Sequence, residues 1–179
     1  MPTVMSEIAQ DDFGGLSDAI RYIERCIPSP SKGLPEEVFL FASRLTPLVN
    51  VDLLIRNEEG HVLLTWRDDE IFGSGWHVPG GCVRLGEKFA DRIKAVAAIE
   101  LGVNVSFEPV PVGLFETIDP ERTNRRHHVS ILFDCTLTSL LNPDLRCKTD
   151  PLSAGYWVWH SRRPEKMLQY AYEDLLWKS

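Results

Sequence analysis

The sequence predicts an α/β fold in which helices cover both faces of a mixed sheet. Segments with strand-like alternation are joined mainly by hairpin-type turns, which favours a mixed sheet over a purely parallel one. Several of these strands are apolar on both sides, so both faces of the sheet need a cover. Four further segments have the apolar spacing of amphipathic helices.

The composition is that of a globular protein. The chain has 179 residues, of which 44% are hydrophobic and 25% charged, enough for one domain and a small appendage. A formal net charge of −7 argues against a nonspecific nucleic-acid binder. The sequence shows neither a secretion signal nor a bilayer-spanning apolar run, so we expect a cytoplasmic protein without a membrane partner. Its four cysteines lack Cys-x-x-Cys spacing, which predicts free thiols rather than a zinc site.

Residues 1–45 are predicted to form a helical extension ahead of the main domain at 46–179. Residues 1–14 are polar and are interpreted as a loose start. Apolar spacing predicts a helix at 16–27. A second helix is predicted to begin at Pro35, because proline is tolerated in the first turn of a helix. The sequence leaves open whether these helices cap the domain or form a dimer contact.

The main domain is predicted to consist of strands, turns and a central helix. The strand at 47–56 is apolar on both faces and turns back into a strand at 61–66. A polar loop is predicted at 67–75, a charged loop at 119–126 and a final helix from Pro164. Further strands are predicted at 75–78, 103–107, 112–118, 127–138 and 156–160.

The central helix has a carboxylate on its apolar stripe. The stripe consists of residues at spacings of four, three and four, namely Phe89, Ile93, Val96 and Glu100. The helix is predicted to end at Gly102. A buried unpaired carboxylate is costly, which indicates that Glu100 has a partner. Spacing alone favours solvent or an arginine over a metal ion as that partner.

The segment around this helix resembles the Nudix box. That motif reads Gly, five residues, Glu, seven residues, then Arg-Glu-apolar-any-Glu-Glu-any-Gly-apolar. The chain matches it at Gly81, Glu87, Ala97, Glu100, Gly102 and Val103. It departs at Ala95, where the motif has Arg, and at Val96 and Ile99, where the motif has Glu. The resemblance implies a Nudix-type α/β/α sandwich and a hydrolase.

Residues from about 35 to 160 are similar to the GDP-mannose mannosyl hydrolase branch of the Nudix family. The similarity is carried by 46–52 (TPLVNVD), 63–67 (LLTWR) and 76–81 (WHVPGG). That branch also lacks part of the Glu set. The resemblance implies that Glu100 is the catalytic metal ligand and that the Gly80 carbonyl is its fellow ligand. The metal implied is Mg²⁺, with Mn²⁺ as the alternative, since such hard oxygen ligands suit it.

The same resemblance implies substrate contacts. Arg67 would bind the diphosphate, for which a guanidinium fork is suited, and Asp52 would lie at the substrate. His127 and His128 begin a strand, so one points each way, and His127 is taken as the substrate contact. The glutamine ligand and histidine base of the branch align with residues that cannot fill those roles, Ser153 and Ala154. The general base is left open among His127, His128, His77 and Glu87.

These observations predict a Mg²⁺-dependent hydrolase of a nucleoside diphosphate sugar, similar to GDP-mannose, in which water attacks the anomeric carbon. A homodimer is expected from the resemblance alone. Two alternatives stay open. One is a hydrolase that cleaves the phosphoanhydride of a nucleoside diphosphate derivative. The other is a catalytically weak protein of Nudix fold that senses a sugar nucleotide, favoured by the missing Glu residues and the missing base.

Overall fold

A computed structural model describes residues 14–147, 152–168 and 170–177. The loose start predicted at 1–14 lies outside the described residues except for Gly14. The helices are α1 (Leu16–Cys26), α2 (Glu36–Ala42), α3 (Phe89–Val96) and α4 (Glu173–Leu176). The strands are β1 (Leu48–Ile55), β2 (Val62–Asp69), β3 (Gly73–His77), β4 (Gly80–Cys82), β5 (Val105–Phe107), β6 (Gly113–Ile118), β7 (His127–Leu137) and β8 (Trp157–His160). Every predicted strand is present, and the Gly-Gly turn adds β4.

The strand β1 is central to a five-stranded mixed sheet. It pairs in parallel with β7 on one side and antiparallel with β4 on the other. The far side of β7 pairs antiparallel with β5 and β6. A second, antiparallel sheet of three strands has the order β3-β2-β8. The predicted α/β fold with a mixed sheet is confirmed, and its strands divide between two sheets.

Alternate residues of β1 enter two separate apolar cores. Val51, Leu53 and Ile55 pack with the buried side of α3, whereas Leu54 packs with the segment after β8. This arrangement confirms that the strand is covered on both faces. Helices α1 and α2 contribute no buried residues to either core.

The described part of the chain gives the state of the cysteines and the character of the helices. All four cysteines are free thiols, as their spacing predicts. Within the described ranges, no helix combines the length and apolar character that crossing a membrane requires.

The final helix predicted from Pro164 is wrong over most of its length, because α4 is the only helix among the described residues of this segment. The Trp76 N–H donates to the Lys166 carbonyl at 2.7 Å, and the Leu168 N–H donates to the Trp76 carbonyl at 2.9 Å. The backbone of this segment is therefore paired with the free edge of β3, which satisfies groups that would otherwise bond within a helix. Its apolar periodicity reflects side chains such as Met167 that enter the second core.

The polar loop predicted at 67–75 is largely a hairpin, since β2 continues to Asp69 and β3 begins at Gly73. Asp69 shapes the turn, because its Oδ1 accepts hydrogen bonds from the Ile71 N–H at 2.9 Å and the Phe72 N–H at 2.7 Å. This Asx-type turn fixes the position of the Phe72 ring.

His77 ends β3 and is buried, with 4% of its surface exposed. One ring nitrogen, Nδ1, lies 2.9 Å from the Val78 carbonyl, which can only accept, so Nδ1 carries the proton. The other, Nε2, then accepts from the Thr65 hydroxyl at 2.8 Å. Burial lowers the pKa of His77 to about 3, and the Arg67 charge contributes further. The ring is neutral at neutral pH.

This buried histidine makes a contribution to stability that is lost in mild acid. The folded pKa of His77 is about 3, below the value of about 6.5 in an unfolded chain, so between these values only the unfolded state takes up the proton. The free energy of unfolding should therefore fall with decreasing pH by up to about 1.4 kcal/mol per pH unit from this residue. Urea unfolding of wild type and His77→Gln at pH 7, 6 and 5 measures the difference.

Between pH 7 and pH 5, the free energy of unfolding of His77→Gln should fall less, or rise more, than that of wild type, because the variant lacks this contribution. His61→Gln, at a half-exposed position in the β1–β2 turn, is the matched control and should keep the wild-type slope. Equal slopes in wild type and His77→Gln would contradict the expectation.

Candidate functional site

The β1–β4 pairing brings a buried carboxylate against a glycine. Asp52 and Gly80 are register partners, and a Cβ atom at Gly80 would lie 2.1 Å from Asp52 Oδ1, so only glycine fits. The Tyr172 hydroxyl donates to Asp52 Oδ2 at 2.6 Å. Burial raises the pKa of Asp52 to about 6, although hydrogen bonds from Tyr172 and Ser130 act in the opposite direction.

Glu100, the second carboxylate beside Gly80, lies in the π-helical turn Ala97–Leu101 that continues α3. The Gly80 N–H donates a long hydrogen bond to Glu100 Oε1 at 3.4 Å. The other oxygen, Oε2, is buried and has no hydrogen-bond partner among the described residues. The neutral His77 ring lies 3.8 Å from it. Burial raises the pKa of Glu100 to about 7, and the Arg67 charge partly offsets this.

The oxygen atoms of Glu100 and Gly80 are suited to a Mg²⁺ ion that takes few protein ligands. No group of three or more His, Cys, Asp or Glu side chains in the described ranges could hold a metal. The unpartnered oxygen of Glu100 is a hard oxygen donor of the kind that Mg²⁺ prefers, and Gly80, whose carbonyl is the predicted second ligand, adjoins Glu100 through its N–H. Mg²⁺ commonly completes its shell with waters and substrate phosphates. The metal ligands Glu100 and Gly80 are thus placed together, and their role stays a prediction.

An ion pair steadies the loop before α3. Glu87 Oε2 accepts from the Arg84 N–H at 2.9 Å and from Arg92 Nε at 2.8 Å. Arg92 lies three residues before Ala95, on the same side of the helix, so it supplies an arginine near the position where the Nudix box has one. Glu87 is therefore a structural residue.

Arg67 lies between two adjoining cavities. A cavity of about 360 Å³ is lined by Arg67, His77 and Glu100. A narrow cavity of about 40 Å³ is lined by Arg67, Asp52 and Gly80. Three of the predicted site residues thus lie with Arg67 along one cleft.

The narrow cavity also adjoins a third cavity, the largest of these three, of about 540 Å³. Phe72, His128 and Tyr170 line both. The three cavities form a groove that is constricted at Asp52 and Gly80. A two-part ligand would place one part at each end and its linking group at the constriction.

The structure does not place His127 in this groove. Its Nε2 lies 3.1 Å from Glu116 Oε1, and the side chain is 31% exposed. Neighbouring strand residues point to opposite faces, so the histidine that faces the groove is His128. The structure therefore brings His128, rather than the predicted His127, to the groove.

Several groove residues were not predicted from the sequence. Tyr172 reaches Asp52 across 120 positions of the chain, and no local pattern signals such a contact. The charged loop predicted at 119–126 contains three arginines, but the sequence does not indicate which aromatic ring any of them contacts. The guanidinium carbons of Arg67, Arg122 and Arg125 lie 5.0, 4.5 and 4.6 Å from the Phe72 ring centroid.

Comparison with known proteins identifies the family. The family model described as NUDIX domain matches residues 46–167. The low-salt glycan biosynthesis protein Agl8 of Haloferax volcanii is 38% identical over 112 residues, which cover 60% of this chain and 70% of that protein.

Solved structures share the fold. The MutT protein from Methanosarcina mazei Go1 has a TM-score of 0.56 at 21% identity, covering 73% of this chain and 91% of that one. A possible asymmetric diadenosine tetraphosphate hydrolase from Jonesia denitrificans has a TM-score of 0.55 at 22% identity. The match covers 74% of this chain and 91% of that one. At these identities the likeness concerns the fold alone. Because the family model covers most of the chain, this protein belongs to the NUDIX domain family, and the Nudix hydrolase predicted from its sequence is confirmed.

Proposed function

We propose that the protein is a Mg²⁺-dependent hydrolase of a nucleoside diphosphate sugar similar to GDP-mannose, which releases the sugar and the nucleoside diphosphate. The observation that carries the proposal is the unpartnered Glu100 oxygen beside Gly80, in a cleft shared with Arg67 and Asp52. Glu100 and Gly80 are the metal ligands in this proposal. Arg67 binds the diphosphate, and Asp52 accepts hydrogen bonds from the sugar.

A sugar nucleotide is in keeping with two further observations. The relative from Haloferax volcanii is named for glycan biosynthesis. The groove has two larger cavities, of about 360 and 540 Å³, on either side of a constriction, which suits a sugar and a nucleoside joined by a diphosphate. We further propose that the protein acts on this small molecule in the cytoplasm, as a homodimer.

The residues at the constriction have separate roles in binding the substrate and in stabilising charge. Bound Mg²⁺ would neutralise charge that develops on the leaving nucleoside diphosphate. Arg67 can donate two parallel hydrogen bonds to a phosphate, because its guanidinium is a planar fork. Asp52 is held in place by the Tyr172 hydroxyl at 2.6 Å and keeps its other oxygen beside Gly80. This fixed carboxylate orients a sugar hydroxyl without a large rearrangement.

We assign proton acceptance from the attacking water to His128. The ring is half-buried and lines both the narrow and the largest cavity. Burial lowers the pKa of His128, and the charges of Arg125 and Arg122 lower it further. The imidazole is therefore neutral near pH 7, which is the form that a general base requires.

The other candidate bases are engaged elsewhere. Both ring nitrogens of His77 are hydrogen-bonded. Glu87 is paired with Arg92, and His127 lies outside the groove beside Glu116. His128 is the remaining member of the set that the sequence left open.

The products show which bond of the substrate is cleaved. Incubation with GDP-sugars, UDP-sugars and ADP-ribose in Mg²⁺ or Mn²⁺ should yield free sugar of inverted configuration and a nucleoside diphosphate, because water attacks the anomeric carbon. Proton NMR reports the anomeric configuration, and in ¹⁸O-labelled water the phosphorus signals of the released nucleoside diphosphate should show no ¹⁸O isotope shift, because the label enters the sugar. Sugar phosphate with nucleoside monophosphate would establish phosphoanhydride cleavage instead. Tight binding of these ligands without turnover would establish a sensor.

Glu100→Gln should abolish metal-dependent turnover. An amide carries no charge and binds Mg²⁺ weakly, so kcat/KM should fall at least about 100-fold. The folded state should be retained, as measured by circular dichroism and thermal unfolding. Glu58→Gln, in the exposed β1–β2 turn, is the matched control and should keep wild-type turnover. Unchanged turnover in Glu100→Gln would overturn the metal assignment.

His128→Gln should lower kcat by about 10²- to 10⁴-fold, the usual contribution of a general base, with a small effect on KM. Steady-state kinetics over pH 5 to 9 should also lose the acidic limb of the profile. His127→Gln removes the adjacent imidazole, which lies outside the groove, and should leave kcat unchanged. Equal effects of the two substitutions would contradict the assignment.

A further inference from the structure

The loop 119–126 brings two arginines to a groove that already contains Arg67. Arg122 lines the largest cavity and Arg125 the narrow one, and both guanidinium groups lie within 5 Å of the Phe72 ring centroid. Contact with an aromatic face stabilises each cation, but it does not remove the repulsion among three like charges. In a chain with a net charge of −7, this concentration of positive charge is local.

Arg125 is the member of this cluster without a counter-ion. Arg67 Nε lies 3.5 Å from Asp69 Oδ2, and Arg122 Nε lies 2.8 Å from Asp119 Oδ2. In the described part of the chain, no carboxylate lies within salt-bridge distance of Arg125, and its Nε is buried without a hydrogen-bond partner. A partly buried cation of this kind is stabilised by a bound anion.

The backbone of Arg125 is held in an uncommon conformation. Its φ of 53° lies in the left-handed region, and it is the only non-glycine residue of the described ranges with a positive φ. Such conformations cost energy and persist when the surroundings impose them. Here the Arg125 N–H donates to Ser43 Oγ at 3.0 Å.

Ser43 is itself fixed, because it is 2% exposed and its hydroxyl donates to the Leu40 carbonyl at 2.7 Å. Two more contacts join the same segment to the loop. Arg44 Nη1 donates to Asn124 Oδ1 at 2.7 Å, and the Arg125 guanidinium lies 5.5 Å from the Phe39 ring centroid. The segment that ends α2 therefore determines where Arg125 points.

We propose that Arg125 binds the diphosphate of the substrate together with Arg67 and Arg122, and that Ser43 positions Arg125 for this contact. The inference rests on the proposed function, which supplies the anion. Arg125 and Arg67 line the constriction beside Gly80, where the linking group of a two-part ligand would lie. Ser43 precedes the matched family domain at 46–167, so the predicted extension supplies part of the binding site.

The test is direct binding of inorganic pyrophosphate, measured by isothermal titration calorimetry without metal and again with Mg²⁺. Arg125→Ala should weaken binding about 10- to 100-fold, the effect of losing charge-assisted hydrogen bonds. Arg125→Lys should recover only part of this loss, because the ammonium lacks the fork. Arg126→Ala, an exposed neighbour with the same charge change, should bind as wild type.

Ser43→Ala tests the positioning role. It should weaken pyrophosphate binding about 3- to 10-fold, the effect of one neutral hydrogen bond, and should have no further effect in an Arg125→Ala background. Ser43→Thr keeps the hydroxyl and should bind as wild type. An equal loss from Ser43→Ala in both backgrounds would overturn the positioning role, because a general destabilisation would act in both.

Wild-type affinity in Arg125→Ala would overturn the inference even if sugar nucleotides are hydrolysed as proposed. Conversely, weakened pyrophosphate binding in Arg125→Ala, in a protein that hydrolyses no sugar nucleotide, would support the anion site and contradict the proposed reaction. The two failures are therefore distinguishable.

Discussion

The close contact between Asp52 and Gly80 is the constraint on which the groove depends. It exists because β1 pairs with β4 in a register that sets these residues opposite each other, and it leaves no room for a side chain at Gly80. The same β4 residue directs its N–H to Glu100. One cross-strand pair therefore fixes the separation between the two buried carboxylates. Packing of α3 against Val51, Leu53 and Ile55 places the helix on β1, and the Asp52–Gly80 pair then sets how closely the groove closes beside Glu100.

The two carboxylates impose an electrostatic cost on the folded protein. Burial raises the pKa of Asp52 to about 6 and that of Glu100 to about 7, and the Asp52 charge further disfavours ionisation of Glu100. The Arg67 charge offsets part of this cost for both. Such a cost is typical of a binding site, where residues are arranged for a ligand rather than for the stability of the free protein. A cation beside Glu100 and an anion beside Arg125 would each relieve an unpaired buried group.

Most of the fold could be predicted from the sequence, because its strands have a clear period and the central helix has a clear stop at Gly102. The segment from Pro164 could not be predicted correctly. Its apolar residues have helical spacing, but its backbone pairs with the otherwise unpaired edge of β3. The predicted site residues Glu100, Gly80, Asp52 and Arg67 meet at one cleft, as a motif-based resemblance can anticipate. The contacts of Tyr172 and Arg125 depend on distant segments, and local patterns contain no information about them.

The Tyr172 hydrogen bond to Asp52 has a consequence for how the protein is made. The two residues are 120 positions apart, so the bond cannot form until the segment after β8 has been synthesised and has paired with β3. Contacts of such sequence separation form late, because the chain entropy must be lost before they stabilise anything. On the ribosome, the sheet around β1 and β7 can assemble while Asp52 still lacks its hydroxyl donor. Completion of the groove therefore coincides with the end of folding rather than with formation of the sheet.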